Sequence, residues 1–139
     1  MGLFSRSYDS LLKKGIRELD AGRVDWAIHY LLQAIEKDPS QPIAHSKVAD
    51  LFFMVGDKEK ARQHGEQAVQ LFDAYISNQT TAEAKAEAWW QKGVTLGGLS
   101  RGPERDACWR EADRLMPGYS SKGASILSDA IVKALSKQK

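Results

Sequence analysis

The stretch LLKKGIRELDAGRVDWAIHYLLQAIEKDP, residues 11–39, predicts two helices that meet at Gly22 and end at Pro39. Apolar residues recur at steps of three and four on both sides of the glycine, which is typical of amphipathic helices. Glycine adopts the left-handed conformation that ends many helices, and proline cannot continue one. The stretch therefore predicts a helical hairpin.

Small residues of this hairpin recur 34 residues further along the chain. The recurring pairs are Gly15 and Ala49, Gly22 and Gly56, Ala27 and Ala61, and Ala34 and Ala68. A constant period of this length indicates stacked two-helix units. The next small residue of this kind, Gly93, follows Ala49 by 44 residues, so about ten residues are inserted. We expect them to lengthen the two adjoining helices by more than a turn each, as a protruding central hairpin.

Helix starts and stops can be placed from caps and breakers. Asp57 and Thr81 are suitable N-caps, and the glycine-rich segment 97–102 predicts a longer, looser turn. Helices are predicted over about residues 6–20, 24–37, 42–55, 58–76, 82–96 and 103–116, with a last amphipathic helix over about 121–137.

These residues resemble the tetratricopeptide repeat. The small, turn and proline positions that carry the resemblance are Gly15, Gly22, Ala27, Ala34, Pro39, Ala49, Gly56, Ala61, Ala68 and Gly93. The second repeat departs from the family pattern at His45, Gly65 and Asp73. The third repeat matches only loosely, through Trp89, Gly93 and Leu96 and then Trp109 and Ala112.

The resemblance implies an all-α fold, a right-handed superhelix of three helical hairpins with a C-terminal capping helix, about seven helices in all. It also implies a single domain over residues 1–139. Its parts would be repeats at about 8–41, 42–78 and 81–117 and a capping helix at about 121–137. The capping helix would cover the apolar end of the stack.

In this family the first helices of the hairpins line a concave groove that holds peptides. Carried onto this chain, the groove residues would be Leu12, Ile16, Leu19, Ile43, Ser46, Lys47, Asp50, Phe53, Trp90 and Val94. This surface is mostly apolar, and exposed aromatic residues often anchor partner segments. We expect Phe53 and Trp90 to act as anchors; the alternative is that the chain's own helices cover them or that Trp90 belongs to the core.

Family members that bind acidic C-terminal peptides use a clamp of basic and amide side chains. The matching positions here are Leu12, Ile16, Lys47, Glu87 and Gln91. Because most of that clamp is absent, we do not expect a chaperone-tail co-adaptor.

Catalytic and metal-binding patterns are missing from the sequence. His29, His45 and His64 lack the spacing of a metal site, and we expect His45 to be a packing residue. Cys108 is the sole cysteine, so an internal disulfide is impossible and a reducing compartment is suitable. We expect no enzyme, no metal and no cofactor.

Charge and hydropathy limit the partners. The formal charge is +2, and the excess lies near the C-terminus, so composition does not favour nucleic-acid binding. No apolar run approaches the roughly 20 residues of a membrane span, and no signal peptide is recognisable. We expect a cytoplasmic protein without a membrane span.

Three functional hypotheses remain open at this stage. The first is a protein–protein interaction adaptor that binds a peptide or helix of a partner in an apolar concave groove. The second is a small cytoplasmic chaperone that shields apolar segments of an exported protein. The third is a scaffold subunit that assembles as a homo-oligomer. The sequence favours the first, with function expected where the 34-residue period fails.

Overall fold

The computed structural model describes residues 6–122, which form α-helices and no strand. The helices are α1 (Tyr8–Asp20), α2 (Val24–Lys37), α3 (Pro42–Met54), α4 (Lys58–Ser77), α5 (Ala82–Gly98) and α6 (Gly102–Leu115). Consecutive helices pair as three hairpins, and α3 also contacts α5 directly. The all-α hairpin architecture is confirmed. The predicted capping helix falls mostly outside the described residues; only its approach, 119–122, is described, and it is helical.

The three hairpin turns have the same geometry. In each, three residues separate the helices, and the N–H of the third donates to the carbonyl five residues earlier. The middle residue has a positive φ, at Gly22 (81°), Gly56 (87°) and Ser100 (61°). Glycine adopts this left-handed conformation at helix ends without strain. Ser100 adopts it too, at a cost in backbone strain because it has a side chain.

The predicted loose turn over 97–102 is wrong. Gly97 and Gly98 continue α5, and the turn is as short as the other two. The reason is the register of the helix. The small residue of each first helix lies seven residues before the left-handed position, so Gly93 places the turn at Ser100.

The predicted lengthening of the central hairpin is confirmed. Helix α4 has 20 residues against 14 in α2, and α5 has 17 against 13 in α3. The increments of six and four residues account for the ten-residue insertion. The N-caps are also as predicted, since Asp57 accepts from the Lys60 N–H at 3.1 Å and Thr81 from the Ala84 N–H at 3.0 Å.

Tyr8 connects the first two hairpins. Gln41 precedes α3 but makes no capping hydrogen bond, and the Tyr8 hydroxyl instead accepts from the Ala44 N–H at 3.1 Å. Burial raises the pKa of Tyr8 to about 12, so the hydroxyl stays neutral. A side chain of α1 thus caps α3.

The core has two parts. The first core cluster joins the first hairpin to α3 and includes Leu11, Leu31, Val48, Leu51 and Phe52. The second core cluster consists of Ile43, Ala68, Phe72, Ile76 and Ala88, and so includes residues of the lengthened segment. Leu12 packs against both. Within residues 6–122, no helix is long and apolar enough to cross a membrane.

Candidate functional site

In the first and third hairpins, two residues that are 16 positions apart come close together. A Cβ on Gly15 would lie 2.9 Å from Leu31 Cγ, and a Cβ on Gly93 would lie 2.5 Å from Trp109 Cδ1. In both outer hairpins a glycine therefore faces a large side chain, and the interface is filled. The equivalent pair in the middle hairpin is Ala49 and Gly65, two small residues.

A pocket lies where this small pair leaves space. Its volume is about 150 Å³, and it is bounded by α3, α4 and α5 together with the turn that follows α5. Leu99 forms part of the wall, because a Cβ on Gly65 would lie 3.1 Å from Leu99 Cδ2. The lining residues are Ala49, Asp50, Phe53, Met54, Ala61, Gly65, Val94, Thr95, Gly98 and Leu99.

Asp50 is the one charged side chain in this lining. Burial raises its pKa to about 6, and Lys47, one turn earlier on α3, acts in the opposite direction. Its carboxylate has no hydrogen bond or ion pair within residues 6–122 (compare the bonded acids Asp57 and Asp113). Asp50 is half-buried, and a carboxylate partly removed from water without a hydrogen-bond partner is energetically unfavourable.

Phe53 lies at the edge of the pocket, three residues after Asp50 and so on the same face of α3. Its side chain is 61% exposed. An open aromatic side chain at the edge of a concave apolar surface is a common feature of interaction sites.

The ten predicted groove residues divide into three groups. Asp50, Phe53 and Val94 come together at the pocket. Leu12, Ile16, Leu19 and Lys47 are half-buried. Of the remaining three, Ile43 and Ser46 are buried and Trp90 makes contacts within the stack.

For two of these three the sequence assignment needs correction, because α3 is packed on both sides. Ile43 is buried in the second core cluster, and Ser46 is buried against Thr95, with 2.7 Å between their hydroxyl oxygens. These two side chains stabilise the stack and are not open to a partner. Trp90 is half-buried; its ring stacks on Trp109 at 6.5 Å, and its Nε1–H donates to the Ser120 carbonyl at 3.2 Å.

Sequence reasoning missed the contribution of Gly65 to the pocket. The signal was present, because Gly65 stands where the first repeat has Leu31 and the third has Trp109. In the sequence it stands out only as a departure from the family pattern. To recognise that a cavity forms there, one must know that Gly65 stands opposite Ala49, which is also small.

Two histidines that looked unrelated in the sequence are in contact. His45 Nδ1 and His64 Nδ1 are 3.1 Å apart, and His64 stacks on Phe52 with 5.7 Å between ring centroids. Burial lowers the pKa of both imidazoles. His45 is buried, as expected for a packing residue, and residues 6–122 contain no group of three metal-binding side chains.

No family model and no curated protein matches the chain. Solved structures do match. The first TPR of Spaghetti (RPAP3) bound to HSP90 peptide SRMEEVD is 20% identical, covers 91% of this chain and 96% of its own, and has a TM-score of 0.58. The N-terminal domain of stress-induced protein-1 from C. elegans is 14% identical over 95% of this chain and 94% of its own, with a TM-score of 0.50. MamA is 20% identical, and the match covers 94% of this chain and 78% of the MamA chain, with a TM-score of 0.51.

The chain has the tetratricopeptide-repeat fold. The predicted fold class is thereby confirmed. In a tetratricopeptide-repeat stack the first helices of the hairpins face inward, which here are α1, α3 and α5. Asp50 and Phe53 on α3 and Val94 on α5 line the pocket, together with Ala61 and Gly65 on α4.

Proposed function

We propose that this chain is a cytoplasmic, non-catalytic interaction module that binds a peptide or helix of another protein on its concave face. The observation that carries the proposal is the exposed Phe53 at the edge of an apolar pocket between α3 and α5. Aromatic anchors beside a pocket are the common centres of binding energy in protein interfaces.

The tetratricopeptide-repeat fold supports this proposal, and one of the similar structures, the first TPR of Spaghetti (RPAP3), is bound to the HSP90 peptide SRMEEVD. That peptide carries three acidic side chains. Leu12 and Ile16 here offer no charge to such a ligand, and Glu87 would repel it. We therefore propose a partner segment of another chemistry, with an apolar anchor and no acidic run.

Selection from a random peptide library tests the proposal. The purified chain selects binders, and the best peptide is synthesised with a fluorophore and titrated by anisotropy. Phe53→Ala should weaken its binding at least tenfold, about 1.4 kcal/mol, as expected for loss of a hot spot.

Trp26→Ala is the matched control. Trp26 is also exposed, at 53%, but it belongs to α2 and stacks on Tyr30 of the same helix. Its removal should leave the affinity unchanged. Equal losses in the two variants, or a library that yields no binder, would contradict a concave-face module.

The other two hypotheses differ in the partner. A chaperone of an exported protein would bind an apolar segment of that client, and a homo-oligomer would assemble through the lengthened central hairpin and the predicted C-terminal helix. Sedimentation velocity across a range of concentrations identifies the homo-oligomer, because its apparent mass rises with concentration. A chaperone client would be recovered in soluble form only when co-expressed with this chain.

A further inference from the structure

One acidic side chain, Asp50, lies at the pocket, and two more, Asp9 and Glu87, act on Tyr75 near the C-terminal end of α4. Asp9 and Glu87 lie at equivalent positions of the first and third repeats, and both help raise the pKa of Tyr75, after burial as the main cause. Asp50 stands at the pocket itself, and Lys47 is the cation that acts on it. A ligand that complements this face carries positive charge.

The pocket combines this charge with apolar walls of restricted size. Val94, Met54 and Leu99 offer aliphatic surface, and Phe53 adds an open aromatic ring. A volume of about 150 Å³ admits a group of roughly the size of benzene. This lining suits a side chain with an apolar stem and a positively charged head.

We propose that this pocket takes an arginine side chain of the partner, with the guanidinium paired to the Asp50 carboxylate and the stem packed against Phe53 and Val94. The inference rests on the proposed function and names the residue type that its pocket recognises. A guanidinium gives the unpartnered carboxylate two parallel N–H donors, which it lacks within residues 6–122.

Arginine fits better than lysine or a purely apolar residue. The guanidinium is planar, is less strongly hydrated than an ammonium group and stacks on an aromatic face such as that of Phe53. An apolar side chain would fill the walls but would leave the Asp50 carboxylate desolvated and unpaired. The raised pKa of Asp50, about 6, agrees with a site that is completed by a cation from outside.

Small probes test the chemistry without a known partner. The full chain, labelled with ¹⁵N, is titrated at pH 7.5 with benzamidine, with neutral benzamide and with benzoate, and amide shifts are followed by NMR. Benzamidine should move the amides of Asp50, Phe53 and Val94 and bind at least tenfold more tightly than benzamide. Benzoate should not bind.

Asp50→Asn supplies the matched variant, because it keeps the shape and removes the charge. In it, benzamidine and benzamide should bind alike, with the wild-type fold verified by the amide spectrum. Equal affinity of the two probes for the wild type would overturn the proposal, as would a benzamidine preference that persists in Asp50→Asn.

The library peptide separates this inference from the proposed function. The arginine of this peptide should be essential. Replacing it with norleucine should weaken binding to the wild-type protein tenfold or more and should not affect binding to Asp50→Asn. A peptide that depends on Phe53 but tolerates norleucine would refute the arginine site and leave the interaction module standing. A peptide that ignores Phe53 would refute the module itself.

Discussion

The Ser46 and Thr95 hydroxyl oxygens lie 2.7 Å apart and join α3 to α5 in the interior of the stack. Thr95 Oγ1 also donates to the Gln91 carbonyl at 3.1 Å. A hydroxyl has a single proton, so Ser46 is the donor between the two side chains. Both residues are buried, and the bond spans two repeats.

Ser46→Ala and Thr95→Val should each lower the free energy of unfolding by about 1–2 kcal/mol, because each leaves a buried partner without its hydrogen bond. The double variant should lose less than the sum, with a coupling of about 1 kcal/mol. Urea unfolding followed by circular dichroism measures all four proteins. If the losses of unfolding free energy in the two single variants add up to that of the double variant, the hydrogen bond between the two hydroxyls does not contribute to stability.

Ser100→Gly should stabilise the protein. Ser100 has φ 61°, a conformation that costs an L-residue about 1–2 kcal/mol. Glycine removes this strain but adds about 0.5–1 kcal/mol of unfolded-state entropy, so a net gain of about 0.5–1 kcal/mol is expected. Thermal unfolding provides the measurement.

Gly56→Ser is the reverse exchange in the equivalent turn. A Cβ at Gly56 meets no atom within 4 Å, so no steric clash adds to the backbone strain at φ 87°. After the same offset by unfolded-state entropy, this variant should lose about 0.5–1 kcal/mol. If both exchanges change stability in the same direction, the left-handed position is not what governs these turns.

Gly65→Leu should close the pocket while preserving the fold. The substitution restores the residue type of the first repeat, fills the space beside Ala49 and removes a mid-helix glycine that costs roughly 1 kcal/mol. Leu99 must shift, since the new Cβ would lie 3.1 Å from its Cδ2. Benzamidine binding should disappear, and the unfolding free energy should fall by no more than about 2 kcal/mol, because removal of the mid-helix glycine partly offsets overpacking against Ala49 and Leu99.

Gly98→Ala is the companion variant. It adds a methyl group to another residue of the pocket lining, where a Cβ meets no atom within 4 Å. Probe affinity should change less than threefold. Loss of binding in Gly98→Ala with retention in Gly65→Leu would place the ligand elsewhere.

The contact between His45 and His64 should make the fold sensitive to acid. Burial lowers both pKa values, and the neighbouring charge of Lys60 also lowers that of His64. The unfolded chain therefore binds protons first, so stability is full above the ordinary histidine pKa of about 6.5 and falls as the pH drops below it.

Urea unfolding at pH 7.5 and 5.5 should show a loss of ~1–2 kcal/mol in the wild type. The variant with phenylalanine at both positions keeps the ring packing and should lack this loss. Asp50 has a raised pKa of about 6, so its protonation stabilises the fold as the pH falls, opposite to the effect of the histidines. Asp50 is present in both proteins, so its contribution cancels when their stabilities are compared. An equal acid loss in the double variant would exclude the histidines as its source.

The sequence predicted the features that depend on neighbours along one helix. Gly22 and Gly56 marked turns, Asp57 and Thr81 marked helix starts, and the ten-residue insertion indicated two longer helices. All of these follow from local backbone preferences.

Features that depend on contacts between helices were not predictable in the same way. Ile43 and Ser46 occupy groove positions of the repeat, but the helices packed around α3 bury them. The His45–His64 contact likewise forms only when α3 and α4 pair, and the space beside Gly65 is enclosed only when α5 packs against that hairpin. Periodicity specifies which face of a helix turns inward, and the neighbours decide how much of that face remains open.

The two-part core bears on how the molecule unfolds. Each cluster buries its own set of side chains, and the second includes Phe72 and Ile76 of the lengthened α4. In repeat proteins such units open with separate free energies and are coupled only through shared contacts. Leu12 packs against both clusters, so we expect it to set the cooperativity between them. Truncating this one side chain should broaden the unfolding transition, because only α3 and α4, which contribute residues to both clusters, would still couple them.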